Sequence, residues 1–334
     1  MTAITAGEPL ALADVRQPSD ACPGPAEART NADPWMAAMR RGDFSRAWQI
    51  CDAHLAERRA RRESKHQGPR HLQWIWDGQP LDGKRVLVRC YHGLGDTVQF
   101  IRFAAPLRRV AREVIVWTQP PLRRIVATAA GVDRVIPLHD GDPDVAYDCD
   151  IEIMELAHAL RVDAQSIACA VPYLSPPRQM SRFHLSAHEL SVGLVWRAGD
   201  WDGHRSLPAE LLKPLAAVCG VRLFSLQCGP AAADVRRIPA HDVACENVEV
   251  TAATMQSMDL LITVDTFAAH LAGALGVPVW LLLHAHCDWR WMQERDDSVW
   301  YPTMRLFRQT RPGDWPGVID AVMSALQHEA VFRS

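Results

Sequence analysis

Residues 259–283 read D-L-L-I-T-V-D-T-F-A-A-H-L-A-G-A-L-G-V-P-V-W-L-L-L. Asp259 to Val264 is an apolar run of strand length. Ala268 to Leu275 is a run of small and apolar residues that reads as a helix, and Val277 to Leu283 is a second strand. Strand, helix and strand in this order form a βαβ unit, whose two strands lie parallel in one sheet. Asp259, Asp265 and His270 interrupt the stretch, which argues against a membrane span.

The same alternation continues upstream. Ser191 to Trp196 reads as a strand, Pro208 to Val218 as a helix and Arg222 to Leu226 as a strand, with a helical piece at Ala252 to Ser257. An earlier set begins with the strand Arg85 to Cys90 and an amphipathic helix from Thr97 to Arg112. Strands follow at Val114 to Trp117, Arg134 to Pro137 and within Tyr147 to Ile153, with a helix over Pro121 to Ala130. Two α/β halves of similar length predict two doubly wound, Rossmann-like domains facing a cleft. Pro172, Pro176 and Pro177 mark the linker between them.

Ahead of these halves, residues 33–63 read as a helical hairpin. Asp33-Pro34 is an N-cap with proline at the first helical position, and Gly42 separates two helices. The order W…M-x-x-G-D-F-x-x-A-W resembles one tetratricopeptide repeat, but a single copy favours a hairpin packed on the next domain. Residues 1–30, with Pro9, Pro18, Pro23 and Pro25, read as a disordered tail. The expected boundaries are therefore tail 1–30, hairpin 31–66, first domain 80–178, second domain 185–312 and closing helix 313–334.

Composition excludes several function classes. The 334 residues carry a net charge of −3, so no global basic field points to nucleic acid. Nine scattered cysteines contain no C-x-x-C, which argues for a reducing, cytoplasmic compartment and against a zinc ribbon. Among 36 basic residues only Lys65, Lys84 and Lys213 are lysines. Asp140, Asp142 and Asp144 read first as a turn, and His284, His286, Cys287 and Asp288 lack a partner motif, so no metal is expected.

Three loops at strand ends could carry chemistry. In Tyr91-His92-Gly93-Leu94-Gly95-Asp96-Thr97, Gly93 and Gly95 permit a tight turn and a close backbone approach. It is neither a dinucleotide fingerprint nor a phosphate-binding P-loop. Asp96 reads either as a helix N-cap or as a general base; capping would lower its basicity, and His92 is the other candidate base. The long loop from Trp196 to Pro208 carries Arg205, suited to charge-assisted bonds with a diphosphate. In Asp265-Thr266-Phe267-Ala268-Ala269-His270, a helix N-terminus at a strand end forms an anion site; the alternative is Asp265 as cap and His270 as a core histidine. Together they describe a carboxylate facing a phosphate cradle, a layout for metal-independent group transfer.

These loops resemble a known family. G-L-G-D-T-V-Q-F (Gly93 to Phe100), the run from Asp259 to Trp280 and D-W-R-W…S-V-W-Y-P-T-M-R-L-F-R-Q (Asp288 to Gln309) are similar to signatures of tetratricopeptide-associated bacterial glycosyltransferases related to the heptosyltransferases of glycosyltransferase family 9. The resemblance implies an α/β, GT-B fold and inverting, metal-independent transfer without a cofactor. The donor would be a nucleotide sugar, an ADP-sugar such as ADP-heptose being favoured. The acceptor would be a glycan, a lipid-linked glycan or a protein, with peripheral membrane contact compatible. By the same resemblance Asp96 matches the catalytic base. Arg205, Gln227, Asp265, Thr266, Ala268, Ala269 and His270 match donor-binding positions. The segment Asp314-Trp315 to Gln327 would close the fold by crossing back to the first domain. Tyr91-His92 before the first signature and Phe267 within the second depart from the pattern. The competing reading is a non-catalytic interaction protein with a degenerate transferase body.

Overall fold

A computed structural model describes residues 33–167, 171–176, 189–200 and 202–331. The expected tail, Pro177 and Trp201 lie outside the described residues. Among these described residues ten strands form two wholly parallel sheets. The first contains β1 (Arg85–Arg89), β2 (Glu113–Thr118), β3 (Arg134–Pro137) and β4 (Cys149–Glu152), in the order β3-β2-β1-β4. The second contains β5 (Leu190–Val195), β6 (Val221–Ser225), β7 (His241–Asp242), β8 (Leu260–Val264), β9 (Val279–Leu283) and β10 (Met304–Arg308), in the order β10-β9-β8-β5-β6-β7. The α-helices longer than one turn are α1 (Pro34–Arg40), α2 (Phe44–Ala60), α3 (Leu94–Phe100), α4 (Ala104–Val110), α5 (Val248–Gln256), α6 (Phe267–Leu275) and α7 (Trp315–Val331).

Strand side chains alternate between faces, and the burial follows that period. Val86 and Val88 of β1 join one core, while Leu87 packs with Ile115 and Trp117 on the opposite face. The first of these cores is shared by the two sheets, since it also contains Leu261, Leu281 and the inner side of α6. Among the described residues no α-helix contributes to the core on the outer face of the first sheet. Tyr91, Leu138, Val145 and Tyr147 lie against it, and the Arg70 guanidinium sits 5.2 Å from the Trp117 ring centroid. Doubly wound packing thus holds for the second sheet only.

The long helix expected over Thr97 to Arg112 is broken into α3, a 3₁₀ turn at Ile101–Phe103 and α4. Pro106 lacks an N–H and crowds the carbonyl of Arg102, four residues earlier, so an unbroken α-helix cannot pass through. The segment Ala209–Ala217 is likewise 3₁₀ throughout, with Pro214 inside it.

The hairpin is built as its sequence predicts. Asp33 caps α1 by accepting from the Trp35 N–H at 2.8 Å, and Asp43 caps α2. Its packing grips both halves of the molecule. Trp48 Nε1 donates to the Val162 carbonyl at 2.7 Å, and Asp52 pairs with His158 and Arg161 of the first half. On the other side Trp35 meets Trp289 edge-on at 5.2 Å, and the Gln293 N–H donates to the Arg40 carbonyl. The closing helix departs from expectation. Trp315, Val318, Ile319, Val322 and Leu326 of α7 sit at helical spacing on one face, and that face packs on the outer core of the second sheet, not on the first. The apolar stripe ends where that core ends, which leaves no buried face for the first sheet.

Candidate active site

Each sheet has one topological switch point, where consecutive connections leave to opposite sides. It lies between β1 and β4 in the first sheet and between β5 and β8 in the second. Ligands bind at such points, beyond the carboxyl ends of the strands. The loops there are 90–97 after β1, 196–207 after β5 and 265–266 after β8. These are the three loops singled out by their sequence.

Asp96 stands at the third position of α3, and Gly93 is the N-cap. Asp96 is therefore not the N-cap its sequence offers; it closes the first turn from inside the helix. Its Oδ2 accepts from the Gly93 N–H at 2.9 Å, and its Oδ1 points to the second half, where it accepts from Arg290 Nη2 at 2.5 Å. Gly95 explains why the turn needs glycine. A Cβ there would lie 2.8 Å from the His270 ring, so the start of α3 rests directly on α6.

On the second half, Thr266 is the N-cap of α6, in extended backbone and without a side-chain cap bond. Asp265 is therefore not the cap. It is buried, and its backbone carbonyl accepts from Arg205 Nη1 at 3.1 Å. Ala268 and Ala269 are buried beneath the helix start, and Phe267 packs against the shared core. His270 Nδ1 lies 2.9 Å from the Tyr301 hydroxyl, and its ring stacks on Trp291 at 5.4 Å. Burial, with Arg290, Arg102 and Arg205 adding to it, pushes the imidazole well below its usual pKa, so His270 is neutral. It is a core histidine, placed where the two halves touch.

Burial, reinforced by Asp288 and opposed by Arg205, raises the Asp265 carboxyl to about 6. The folded-state pKa lies above the ordinary value of 3.8, so folding disfavours the ionised form. Stability from this site is complete below about pH 4 and declines as pH rises through about 6. Relative to Asp265→Asn, the wild type should lose on the order of 2–3 kcal/mol between those limits. Urea midpoints of both proteins across pH 4–7 check this; parallel curves would refute it.

Two residues outside the sequence expectations complete the site. Arg290 is buried between the halves. Its Nε donates to Gln99 Oε1 at 2.7 Å and its Nη1 to Asp288 Oδ1 at 2.9 Å, and its guanidinium lies 4.6 Å from the Trp289 ring centroid. Burial works against its charge, but Asp288 and Asp96 outweigh burial and raise its pKa. Glu152, at the end of β4, is across the first switch point from His92. It accepts from the Tyr91 and Met154 N–H groups at 3.4 and 2.7 Å, and its Oε2 is 3.8 Å from His92 Nε2. Burial pushes the His92 imidazole down, against the pull of Asp96. Arg290 lay in the quoted D-W-R-W string, where flanking tryptophans were the available signal. Glu152 ends a short strand and carried none.

Gln227 is placed differently from the other expected residues. Its Oε1 accepts from the Trp196 and Arg197 N–H groups at 3.1 and 2.9 Å, and its Nε2 donates to the Arg197 and Cys228 carbonyls. The amide ties the loop that carries Arg205 to the end of β6. Among the described residues no three metal-ligating side chains gather into a cluster. His284 instead faces Asp202 at 3.8 Å and stacks on His204.

No family model matches the chain. Two solved structures share its architecture at 14% identity and a TM-score of 0.53. One is a glycosyl transferase family 9 protein from Veillonella parvula, with 77% of this chain and 99% of that one covered. The other is the ADP-heptose lipopolysaccharide heptosyltransferase II of Escherichia coli, with 73% and 99% covered. The fold is GT-B. A curated relative, protein FlbA of Caulobacter vibrioides, is 24% identical over 290 residues, or 75% of this chain. The chain spans about half the length of that relative, 48%. Two facing parallel sheets with loops meeting at both switch points are what the GT-B architecture provides; the chemistry is argued from the residues in those loops.

Proposed function

We propose that this chain is a glycosyltransferase that moves a sugar from a nucleoside-diphosphate donor to a hydroxyl group, with inversion and without a metal. The reading rests on one observation. Asp96, at the switch point of one sheet, lies beside Gly95, which rests on α6 of the other, and its charge acts on Arg205, which holds the Asp265 carbonyl there. Asp96 takes the proton of the acceptor hydroxyl as its oxygen attacks the anomeric carbon. The bond from that carbon to the diphosphate oxygen breaks on the opposite face, so a single displacement inverts the centre. Arg205 and the N–H groups opening α6 offset the charge that develops on the leaving diphosphate. His92 is the second candidate for the proton, and burial keeps it neutral and able to accept. Similarity favours an ADP-linked donor, such as ADP-heptose, and a glycan, lipid-linked glycan or protein acceptor. A cytoplasmic location fits the free thiols. Among the described residues no helix is long and apolar enough to cross a membrane.

A second reading, a non-catalytic interaction protein on the same fold, draws on the Arg290 contact. The Asp96 oxygen not used in capping is bound to a guanidinium rather than open to an acceptor. Thermal-shift measurements with ADP, GDP, UDP and their sugars separate the two. A ligand at a hundred times its dissociation constant should add roughly 2.7 kcal/mol of stability. Stabilisation by one of these nucleotides is expected, and a flat response to all of them would favour the non-catalytic reading.

A further inference from the structure

The Arg290 contact on which the second reading draws has a definite chemistry. Arg290 belongs to the second half, and its loop partner Asp288 holds it there by both the Nη1 bond and a backbone cap. Gln99 and Asp96, both on α3, hold it from the first half. Phe100 and Trp289 lie against its faces, so the guanidinium is held in plane. Its two carboxylate partners are equally exposed, but Asp288 holds it by two bonds and Asp96 by one. Arg205 lies in the same acidic field: Asp265, Asp202, Asp288 and Asp96 all act on it, and Asp265 also acts on Arg290. His92, Glu152, Arg102 and the neutral His270 also face this point.

We propose that Arg290 is a latch on Asp96 that a diphosphate releases. This rests on the glycosyltransferase reading and adds to it an order of events. The Gly93 N–H occupies one oxygen of Asp96 and the Arg290 guanidinium occupies the other, so neither is open to a hydroxyl. While Arg290 is on Asp96 the site cannot deprotonate an acceptor or a water molecule. A diphosphate carries more negative charge than one carboxylate and offers the paired oxygens that the arginine fork matches. Its arrival beside Arg205 draws the Arg290 Nη2 from Asp96 to phosphate, while Asp288 retains Nη1. The freed Oδ1 then faces the acceptor. No covalent bond changes in this step; one charge-assisted hydrogen bond is exchanged for another. The donor therefore binds first, and the base is unmasked only when a diphosphate occupies the site.

Competition between Asp96 and the anion has a signature that a structural ion pair lacks. The probe is inorganic pyrophosphate, titrated calorimetrically into the full chain. Asp96→Asn removes the competitor and should tighten pyrophosphate binding by about tenfold or more, the worth of one hydrogen bond to a charged group. Arg290→Gln removes the ligand and should weaken binding by a similar factor, with Arg290→Lys in between. Thermal unfolding of each variant confirms that it is folded, and Arg290→Lys keeps the charge if Arg290→Gln is not. Opposite signs for the Asp96 and Arg290 variants support the latch. Equal affinity in all variants, or weaker binding by Asp96→Asn, overturns the latch and leaves the glycosyltransferase reading standing. No binding of pyrophosphate, ADP, GDP or UDP by wild type or Asp96→Asn overturns both.

Discussion

Asp96→Asn is expected to lower sugar transfer by roughly 10²–10⁴-fold, the usual contribution of a positioned general base. The substitution is chosen to leave the turn intact. Asparagine keeps an oxygen that can accept from the Gly93 N–H, the bond that holds the start of α3. It loses the ability to take a proton and the charge that holds Arg290. The rate is measured with whichever donor stabilises the protein, and circular dichroism confirms the fold. Retention of more than about a third of the wild-type rate would exclude Asp96 as the base. If His92→Ala then abolished transfer, the proton would go to His92. The combination of slower chemistry and tighter pyrophosphate binding in one variant is specific to the latched base; a disrupted site would lose both.

Trp300→Ala is expected to destabilise the protein by about 3–5 kcal/mol, the range for truncating a buried large aromatic side chain. Trp300 is fully buried where three parts of the molecule meet. Its ring packs on Phe44 of the hairpin, Phe100 of the first half and Trp289 of the second. Its Nε1 donates to the Arg290 carbonyl at 2.8 Å, and its own carbonyl accepts from Arg102 at 2.6 Å. The substitution leaves a cavity beneath the arginine that holds Asp96. Urea unfolding measures the loss. A cost under about 1 kcal/mol would mean that this junction collapses to fill the void and is not the joint between the halves.

The two sheets were legible because their causes are local. Apolar runs such as Leu260–Val264 and Val279–Leu283, separated by a helix of small residues, have few other ways to bury themselves. The glycines of the 93–95 turn and the Asp265-Thr266 junction were legible for the same reason, since a strand end followed by a helix start is written in consecutive residues. Helix length was overestimated where periodicity was read through Pro106, and helix type was missed where it was read through Pro214. The role of Asp96 stood undecided between cap and base because its two oxygens point different ways, and only one of their partners is its sequence neighbour.

The amino-acid sequence alone determined the alternation of elements, the two halves, the hairpin with its Asp33 cap and the loops at the strand ends. Each of these follows from propensity, capping and hydrophobic period within a few residues. Tertiary structure decided what those loops face. Arg290 reaches Asp96 across 194 positions of chain, and Trp48 reaches Val162 across 114. No local pattern encodes such a pairing, because it exists only once two sheets share a core. The same holds for the closing helix, whose apolar stripe shows that it packs but not upon which sheet. The candidate base was thus visible in the sequence, and the group that restrains it was visible only in the fold.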